Sequence, residues 1–535
     1  MQGLMMHGAL TLGAILDRAE RVSPGSAIVS RGSDRSVHRG TYAELAPRAR
    51  RLAAGLRDLG VPKDGRVATL MWNQREHLEA YYGVPARGAV VHTLNPRLSP
   101  AELAHIADHA GDEAVIVDAS LLDVLGAVRA RRDFRHVIVA GGDAPEGTIA
   151  YEDLLAAEDP GLPVVAQDDE LAAAVLCYTS GTTGNPKGVL YSHRALVLHA
   201  MGLAMADSFA IREADTVLPV VPMFHVNAWG LPFTCPMTGA QLVLPGRFLD
   251  PDSLLELLTG ERVTFTAGVP TVWLALLERL DEDPGAHDLS ALRCMLVGGS
   301  AAPRGLIEAF ERRHGLHVLQ GWGMTEMCPV GSIGRLPRSM ADAPAEERLA
   351  YRARQGQPVP FVEIRARHED GLVPWDGTTM GELEVRGPTV ASAYMGGEGA
   401  DKFTDDGWFR TGDIVTIGPT GCIEITDREK DLIKSGGEWI SSVALENALM
   451  AHPAVAEAAV VAIPDPKWQE RPLACVVTRP GHSPTAEELR DRLAADFPSW
   501  WLPDRVEFID EIPRTATGKF KKAVLRERFA PPAGH

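Results

Sequence analysis

Between residues 178 and 193 the chain reads YTSGTTGNPKGVLYSH, after the apolar run AAAVLC and before the helical pattern RALVLHAMGLA. Residues 179–188 hold three glycines, three threonines, one serine and Lys187. Backbone N–H groups and small hydroxyls of such a loop can surround an anion, and a lysine ammonium adds a point charge. The chemistry that suits it is phosphate binding. It is not the GxxxxGK[ST] loop of kinase-like nucleotide-binding proteins. Gly188 stands after Lys187 where Ser or Thr is required, and Gly184 is not adjacent to the lysine. A flexible surface loop is the competing reading of Gly, Ser and Thr alone. The order of the residues and the buried strand before them favour function.

Such a loop needs a rigid frame. Apolar runs with the look of strands recur at RVATLMW (66–72), AVIVDA (114–119), HVIVA (136–140), TVLPVVPMF (216–224), VTFTAGVP (263–270) and CMLVGGS (294–300). Amphipathic stretches such as PDSLLELLTGE (251–261) and TVWLALLERL (271–280) lie between several of them. This alternation predicts largely parallel sheets covered by helices. After about residue 355, VEIRAR, GELEVRG and CIEITD alternate apolar and polar positions, which predicts a smaller antiparallel region. From Arg428 the order is helix, strand, strand, helix, strand and a basic tail, a small α+β domain. The boundary falls in ITDREKDLIKSGGEW, giving domains 1–426 and 427–535.

Length and composition narrow the classes further. A chain of 535 residues exceeds one core and divides into domains. The net charge of −18 argues against nucleic acid or an anionic membrane as main partner. Polyphosphate binding then needs local cations and backbone donors. Six scattered cysteines without a CxxC pair give neither a metal site nor a disulfide framework, so reduced thiols in the cytoplasm are expected. Asp17, Arg18 and Glu20 break the N-terminal stretch too early for a signal peptide, and it reads as a helix. No run reaches the ~18 apolar residues of a transmembrane span.

SGTTGNPKG resembles the signature loop of the adenylate-forming enzymes: acyl-CoA synthetases, firefly-type luciferases and adenylation domains of peptide synthetases. Four further segments match in order: GWGMTE (321–326), GWFRTGD (407–413), DREKDLIKSGGEWIS (427–441) and PRTATGKFKK (513–522). The resemblance implies a large N-terminal domain of two αβ sheets and a β-barrel, followed by a small mobile α+β domain. It implies ATP and CoA as co-substrates and Mg²⁺ as cofactor.

Carried over residue by residue, it assigns ATP and AMP to Thr179, Ser180, Gly181, Thr182, Thr183, Gly184 and Lys187. The strand end with Gly299, Ser300 and Ala301, and the segment Gln320, Gly321, Trp322, Gly323, Met324 and Thr325, would hold the adenine. Glu326 and Thr182 are the expected Mg²⁺ partners, since a hard cation on phosphates takes few protein carboxylates. Asp413 would accept from the ribose hydroxyls, and Arg428 and Lys434 would touch ribose or phosphate. Many relatives carry Tyr where this chain has Trp322; the indole keeps a stacking face but loses whatever bond the hydroxyl made. Lys519 would be the principal adenylation catalyst, while Lys521 and Lys522 read as a solvated basic face. Asp427 is the hinge position, and Gly436, Gly437, Glu438 and Trp439 would line the path of the CoA arm.

The acid is addressed by VPMFHVNAWGLPF (221–233), similar to the segment of medium- and long-chain fatty acyl-CoA synthetases. There His225, Val226 and Trp229 would line or gate the acyl tunnel. Plain core positions are the alternative for His225 and Trp229. The wider match resembles a bacterial medium- or long-chain type, which also implies a homodimer formed partly by the N-terminal region. Lys467 and Arg471 in KWQERP could meet CoA phosphates or form a solvated turn. An adenylating ligase for a short-chain or aryl acid, an acyl-AMP ligase loading a carrier protein, and a nucleotide-binding module without catalysis remain as alternatives.

Overall fold

The apolar runs pair into two large sheets. The computed structural model describes residues 1, 3–156, 169–179, 186–300, 302–435, 438–514 and 520–529, with only the backbone of Glu438. Among these, one sheet has seven strands in the order Ile149–Ala150, His136–Ala140, Asp112–Asp118, Arg66–Leu70, Val90–Thr93, Ala173–Tyr178 and Gly188–Ser192. Its pairs are parallel except the last, an antiparallel ladder in which Tyr178 faces Gly188. The strands on either side of the phosphate-type loop therefore pair with each other, and GVLYS is a strand before the helix His193–Ala204 begins. Ala114 to Val117 are all buried, as expected of a strand covered on both faces.

The second sheet runs Gln357–Pro358, Val330–Ile333, Val318–Gly323, Cys294–Val297, Phe265–Gly268, Thr216–Pro219, Gln241–Leu244, Ala27–Arg31 and Val37–Thr41. It is parallel through its middle and antiparallel at both ends. Helix starts follow local chemistry. Thr11 accepts from Ala14 N to open Leu12–Val22, and Ser99 and Glu102 form a capping box ahead of Pro100–Ala110. Trp273 Nε1 donates to Leu296 O at 3.0 Å, fixing the helix Pro270–Glu282 on its sheet.

The third sheet is antiparallel, in the order Gly371–Leu372, Glu363–His368, Gly381–Arg386, Phe409–Ile417 and Ile423–Arg428. It occupies the place of the expected barrel, yet its hydrogen-bonded path is open among the described residues. The edge strand Gly371–Leu372 is only two residues long and offers too few backbone groups to close a cylinder.

The small C-terminal domain begins its own sheet at Ile433–Ser435 and carries helices Ser442–Met450, Ala486–Ala494 and Lys522–Phe529. The basic tail is not a solvated face at Lys522. This residue is buried, its ammonium 2.6 Å from Glu446 Oε1 and donating to Ser442 Oγ at 2.6 Å. Glu446, Asp427 and Asp431 are buried carboxylates on neighbouring elements and demand a cation. Arg471 is likewise structural. Its guanidinium donates to Ser435 Oγ and the carbonyls of Trp500 and Leu502, and pairs with Asp504, so it is not free for CoA phosphates. Lys467 lies over the Trp468 ring at 4.4 Å. All six cysteines are buried and free. No helix among the described residues is long and apolar enough to cross a membrane.

Candidate active site

The hairpin closes its turn with two bonds: Thr179 N donates to Lys187 O at 2.9 Å, and Lys187 N to Thr179 Oγ1 at 3.0 Å. Ser180, Gly181, Thr182, Thr183 and Gly184, assigned to ATP above, lie outside the described residues. Beneath the hairpin, the Tyr178 hydroxyl is 2.6 Å from His109 Nδ1, joining this strand to the helix Pro100–Ala110.

Lys187 reaches across to a residue that the sequence reading left out. Its ammonium is 5.6 Å from the centre of the Tyr394 ring, and the Tyr394 hydroxyl donates to Glu326 Oε1 at 2.6 Å. Burial, and after it the Glu326 carboxylate, push the Tyr394 hydroxyl above its ordinary range, so it stays a donor. Nothing in VASAYMGG marks Tyr394 as special, because its partner is 68 residues away in sequence. Glu326 sits in the short helix Thr325–Met327, only 6% exposed. That loop is tight because Met324 N donates to Pro329 O at 3.0 Å. A Cβ on Gly323 would come within 2.1 Å of the same carbonyl, so glycine is required there. Tyr191 OH holds the loop from the other side, donating to Thr325 O at 2.5 Å.

Trp322 and Asp413 meet on the neighbouring surface. The indole Nε1 donates to Asp413 Oδ2 at 2.9 Å. Asp413 is fully buried, and its cross-strand neighbour Arg428 brings Nε to 2.6 Å from Oδ1. That approach is an ion pair outside hydrogen-bond geometry, so Oδ1 keeps no hydrogen-bond donor. Gln320 Oε1, on the same strand as Trp322, is a second buried acceptor without a donor. Asp413 Oδ1, ion-paired to Arg428, and Gln320 Oε1 thus place two buried acceptors beside the indole, the polarity that hydroxyls and an amino group of a nucleoside would meet.

The apolar segment takes an unexpected form. Val226, Asn227, Ala228 and Trp229 have φ of 42°, 56°, 45° and 55°, four successive non-glycine residues in the left-handed region. Such residues cost roughly 1–2 kcal/mol each. Ala228 N donates to Pro222 O, and the Cys177 thiol lies 3.6 Å from Asn227 Oδ1. The Trp229 ring lies against the strand end before Ser300: a Cβ on Gly298 would meet it at 2.9 Å and one on Gly299 at 3.9 Å. His225, just before the turn, is half-buried. Ser300 is exposed, and Ala301 lies outside the described residues.

Contacts thus run from Thr179 and Lys187 through Tyr394 to Glu326, and from Trp322 through Asp413 to Arg428, the two groups meeting in the segment 322–326, with Trp229 packed on the adjoining strand end. The second group of expected residues stands apart. Lys434 is exposed on a hairpin strand, and Trp439 on the paired strand packs 5.2 Å from His368 of the third sheet. Gly436, Gly437 and Lys519 lie outside the described residues. The segment that bears Lys519 is bracketed by an isolated bridge between Arg514 and Phe520. Lys521 is close enough to Glu102 of the large domain to help lower its pKa, after the Ser99 bonds that dominate. Asp427 is buried at the end of the third sheet. Its carboxylate accepts from Arg428 N at 2.7 Å and from Ser442 N, the first residue of the helix Ser442–Met450, at 2.5 Å. Burial raises its pKa and Lys522 opposes the rise.

Residues 16–395 match the family model described as AMP-binding enzyme, and residues 444–519 match that of the AMP-binding enzyme C-terminal domain. The chain belongs to the AMP-binding enzyme family. It is 52% identical to a long-chain-fatty-acid–CoA ligase of Thermus thermophilus, covering 98% of this chain and 96% of that protein. A medium-chain-fatty-acid–CoA ligase of Ectopseudomonas oleovorans is 41% identical, with 99% and 98% covered. Among solved structures, the anthranilate CoA ligase AuaEII in complex with anthranoyl-AMP superposes with a TM-score of 0.86 at 26% identity, with 98% of both chains covered.

Proposed function

We propose that the chain is an ATP-dependent acyl-CoA ligase for a medium- or long-chain fatty acid. A carboxylate oxygen of the acid attacks the α-phosphorus of ATP, the bond to the β-phosphate breaks, and pyrophosphate leaves with its electron pair. The CoA sulfur then attacks the carbonyl carbon of the acyl-AMP, AMP leaves, and the thiol proton passes to solvent. Both reactants of the first step are anions, so the protein must chiefly position them and offset charge. The observation that supports this most is the buried Asp413, bonded to Trp322 and flanked by Arg428, on the same segment 322–326 as Glu326 with its partners Tyr394 and Lys187.

In this reading Asp413 accepts from the ribose hydroxyls, Thr179 to Lys187 cradle the phosphates, and Lys519 bridges the carboxylate and the α-phosphate. Glu326 offers a hard oxygen ligand, and among the described residues no group of three or more His, Cys, Asp or Glu could hold a metal by itself. Mg²⁺ would accordingly be held by Glu326, Thr182 and phosphate oxygens, supplying charge neutralisation on the phosphates. The domain after Asp427 would turn to exchange the Lys519 segment for the one bearing Gly436, Gly437, Glu438 and Trp439. A cytoplasmic homodimer fits this reading.

The deciding assay offers acids from acetate to stearate, and benzoates, and follows CoA-dependent AMP release. Rates rising with chain length through the medium and long acids are expected; selective use of a benzoate or acetate would replace the fatty acid in this reading. Lys519→Ala should lower acyl-AMP formation by about 10²–10³-fold, by analogy with a lost oxyanion donor. It should retain thiolysis of supplied acyl-AMP, and equal loss of both steps would remove Lys519 from its role.

A further inference from the structure

Tyr178 ends the strand that leads to Thr179, and two histidines hold its side chain. His92, itself fixed by Asp112 Oδ2 at 2.8 Å from Nδ1, brings its ring centre to 5.1 Å from that of Tyr178. His109 places Nδ1 2.6 Å from the Tyr178 hydroxyl and Nε2 3.8 Å from Glu398 Oε1. A carboxylate on the Nε2 side favours the tautomer with its proton there, which leaves Nδ1 to accept. Burial raises the pKa of the Tyr178 hydroxyl, so the phenol keeps its proton and is the donor.

Two routes lead from His109 to groups assigned to ATP in the reading above. The first passes through Tyr178. Thr179 follows it in the chain and shares two bonds with Lys187. Gly188 faces Tyr178 across the ladder, and a Cβ there would sit 3.2 Å from Tyr178 Cζ and 3.3 Å from Met395 Cβ. The second route passes through the segment 394–399. A Cβ on Gly396 would lie 3.8 Å from His109 Nε2, and one on Gly399 would lie 3.0 Å from Lys187 Cε. This segment is therefore packed between His109 and Lys187, and it begins with Tyr394, whose hydroxyl holds Glu326. His109 stands behind both routes on the helix Pro100–Ala110. A displacement of even 1 Å passed along them would move the groups that must meet the nucleotide.

We infer that His109 is a positioning residue for nucleotide binding: by fixing the Tyr178 hydroxyl and the segment 395–399, it sets where Lys187 and Tyr394 stand. The inference rests on the ATP-dependent reading above and deepens it. His109→Phe removes the acceptor, and ATP–pyrophosphate exchange with saturating palmitate is the assay. One lost hydrogen bond should raise KM for ATP about 3- to 10-fold. Loss of binding shared by ground and transition states should leave kcat within about twofold. Thiolysis of supplied acyl-AMP should change far less than KM for ATP. Tyr178→Phe removes the same bond from its other end and keeps the ring, so it carries the test if His109→Phe does not fold. The double variant should raise KM no further than either single one; additive rises would show two independent side chains and overturn the inference. His109→Asn, which keeps an acceptor at the place of Nδ1, should recover most of the loss. An unmoved KM for ATP in the single variants, or equal losses in exchange and thiolysis, overturns it as well. If the unaltered protein shows no exchange with any acid, the functional reading falls and this inference falls with it. Exchange with an unmoved KM removes the role of His109 alone.

Discussion

Tyr394 meets two opposite charges at once, Lys187 over its ring and Glu326 at its hydroxyl, while burial keeps it protonated. It holds the carboxylate in one orientation without itself being ionised. Removing that hydroxyl forfeits a hydrogen bond to a charged group, about 1.5–3 kcal/mol. Tyr394→Phe should therefore lower kcat/KM for ATP in ATP–pyrophosphate exchange by about 10- to 150-fold. Thiolysis of supplied acyl-AMP should change far less; equal changes would make Tyr394 a folding residue only. The residues around it differ in how plainly the sequence declared them. Thr179, Lys187, Glu326 and Asp413 stand in segments whose composition and order are unusual, so they could be named at once. Tyr394 is one aromatic among ordinary neighbours, and only the fold brings it to Glu326. Trp322 was legible as a residue but not as a bond, since its donor reaches a carboxylate 91 positions away.

At the level of elements, the helix Lys522–Phe529 does more than end the chain. Lys522 inserts its ammonium beside Glu446 and Ser442, while Arg526 pairs with Asp431 and donates to the Lys430 carbonyl at 2.9 Å. The hinge candidate Asp427 caps the helix that carries Ser442 and Glu446. One cluster thus ties the segment after Lys519 to the junction of the domains. Burial disfavours the charge on Lys522, and Glu446 and Asp427 more than offset it, so its pKa is raised. Lys522→Met leaves those carboxylates buried without a counter-ion and should cost about 3–5 kcal/mol. Thermal unfolding of the small domain measures it. The double variant Lys522→Met, Glu446→Leu should recover most of the loss; a single variant as stable as the parent would refute the cluster's role. In sequence this helix was hidden, because Lys521 and Lys522 read as one charge run when only one of them faces inward. The turn at 226–229 was hidden for the opposite reason. Left-handed backbone is announced by glycine, and here four other residues adopt it under tertiary constraint.

For the molecule as a whole, strand–helix alternation was enough to foresee two layered sheets, because parallel strands buried on both faces must read as unbroken apolar runs. The open edge of the third sheet was not foreseeable, since closure depends on which distant strands pair. Buried histidines then set how the assembly responds to acid. Burial lowers the pKa of His77 and His193 to about 4 and of His199 to about 3. Each is depressed below its unfolded value near 6.5, so below that pH the unfolded chain binds more protons. Each histidine removes up to about 1.36 kcal/mol of stability per unit as pH falls from 6.5 toward its folded value, and nothing above 6.5. Urea midpoints from pH 7 to 5 should decline, and His199→Gln should flatten the decline by one histidine's share. An identical slope in the variant would show that His199 is not neutral in the native state.

The six cysteines carry a last consequence. Cys177, Cys294 and Cys475 are pushed by burial to about 11, 12 and 12, and none of the six reaches the surface. A mixed anhydride of acid and phosphate acylates any accessible thiolate. A chain that generates one while keeping every sulfhydryl of its own sealed and protonated does not acylate its own cysteines, and the thiol within reach is the one a visiting molecule brings.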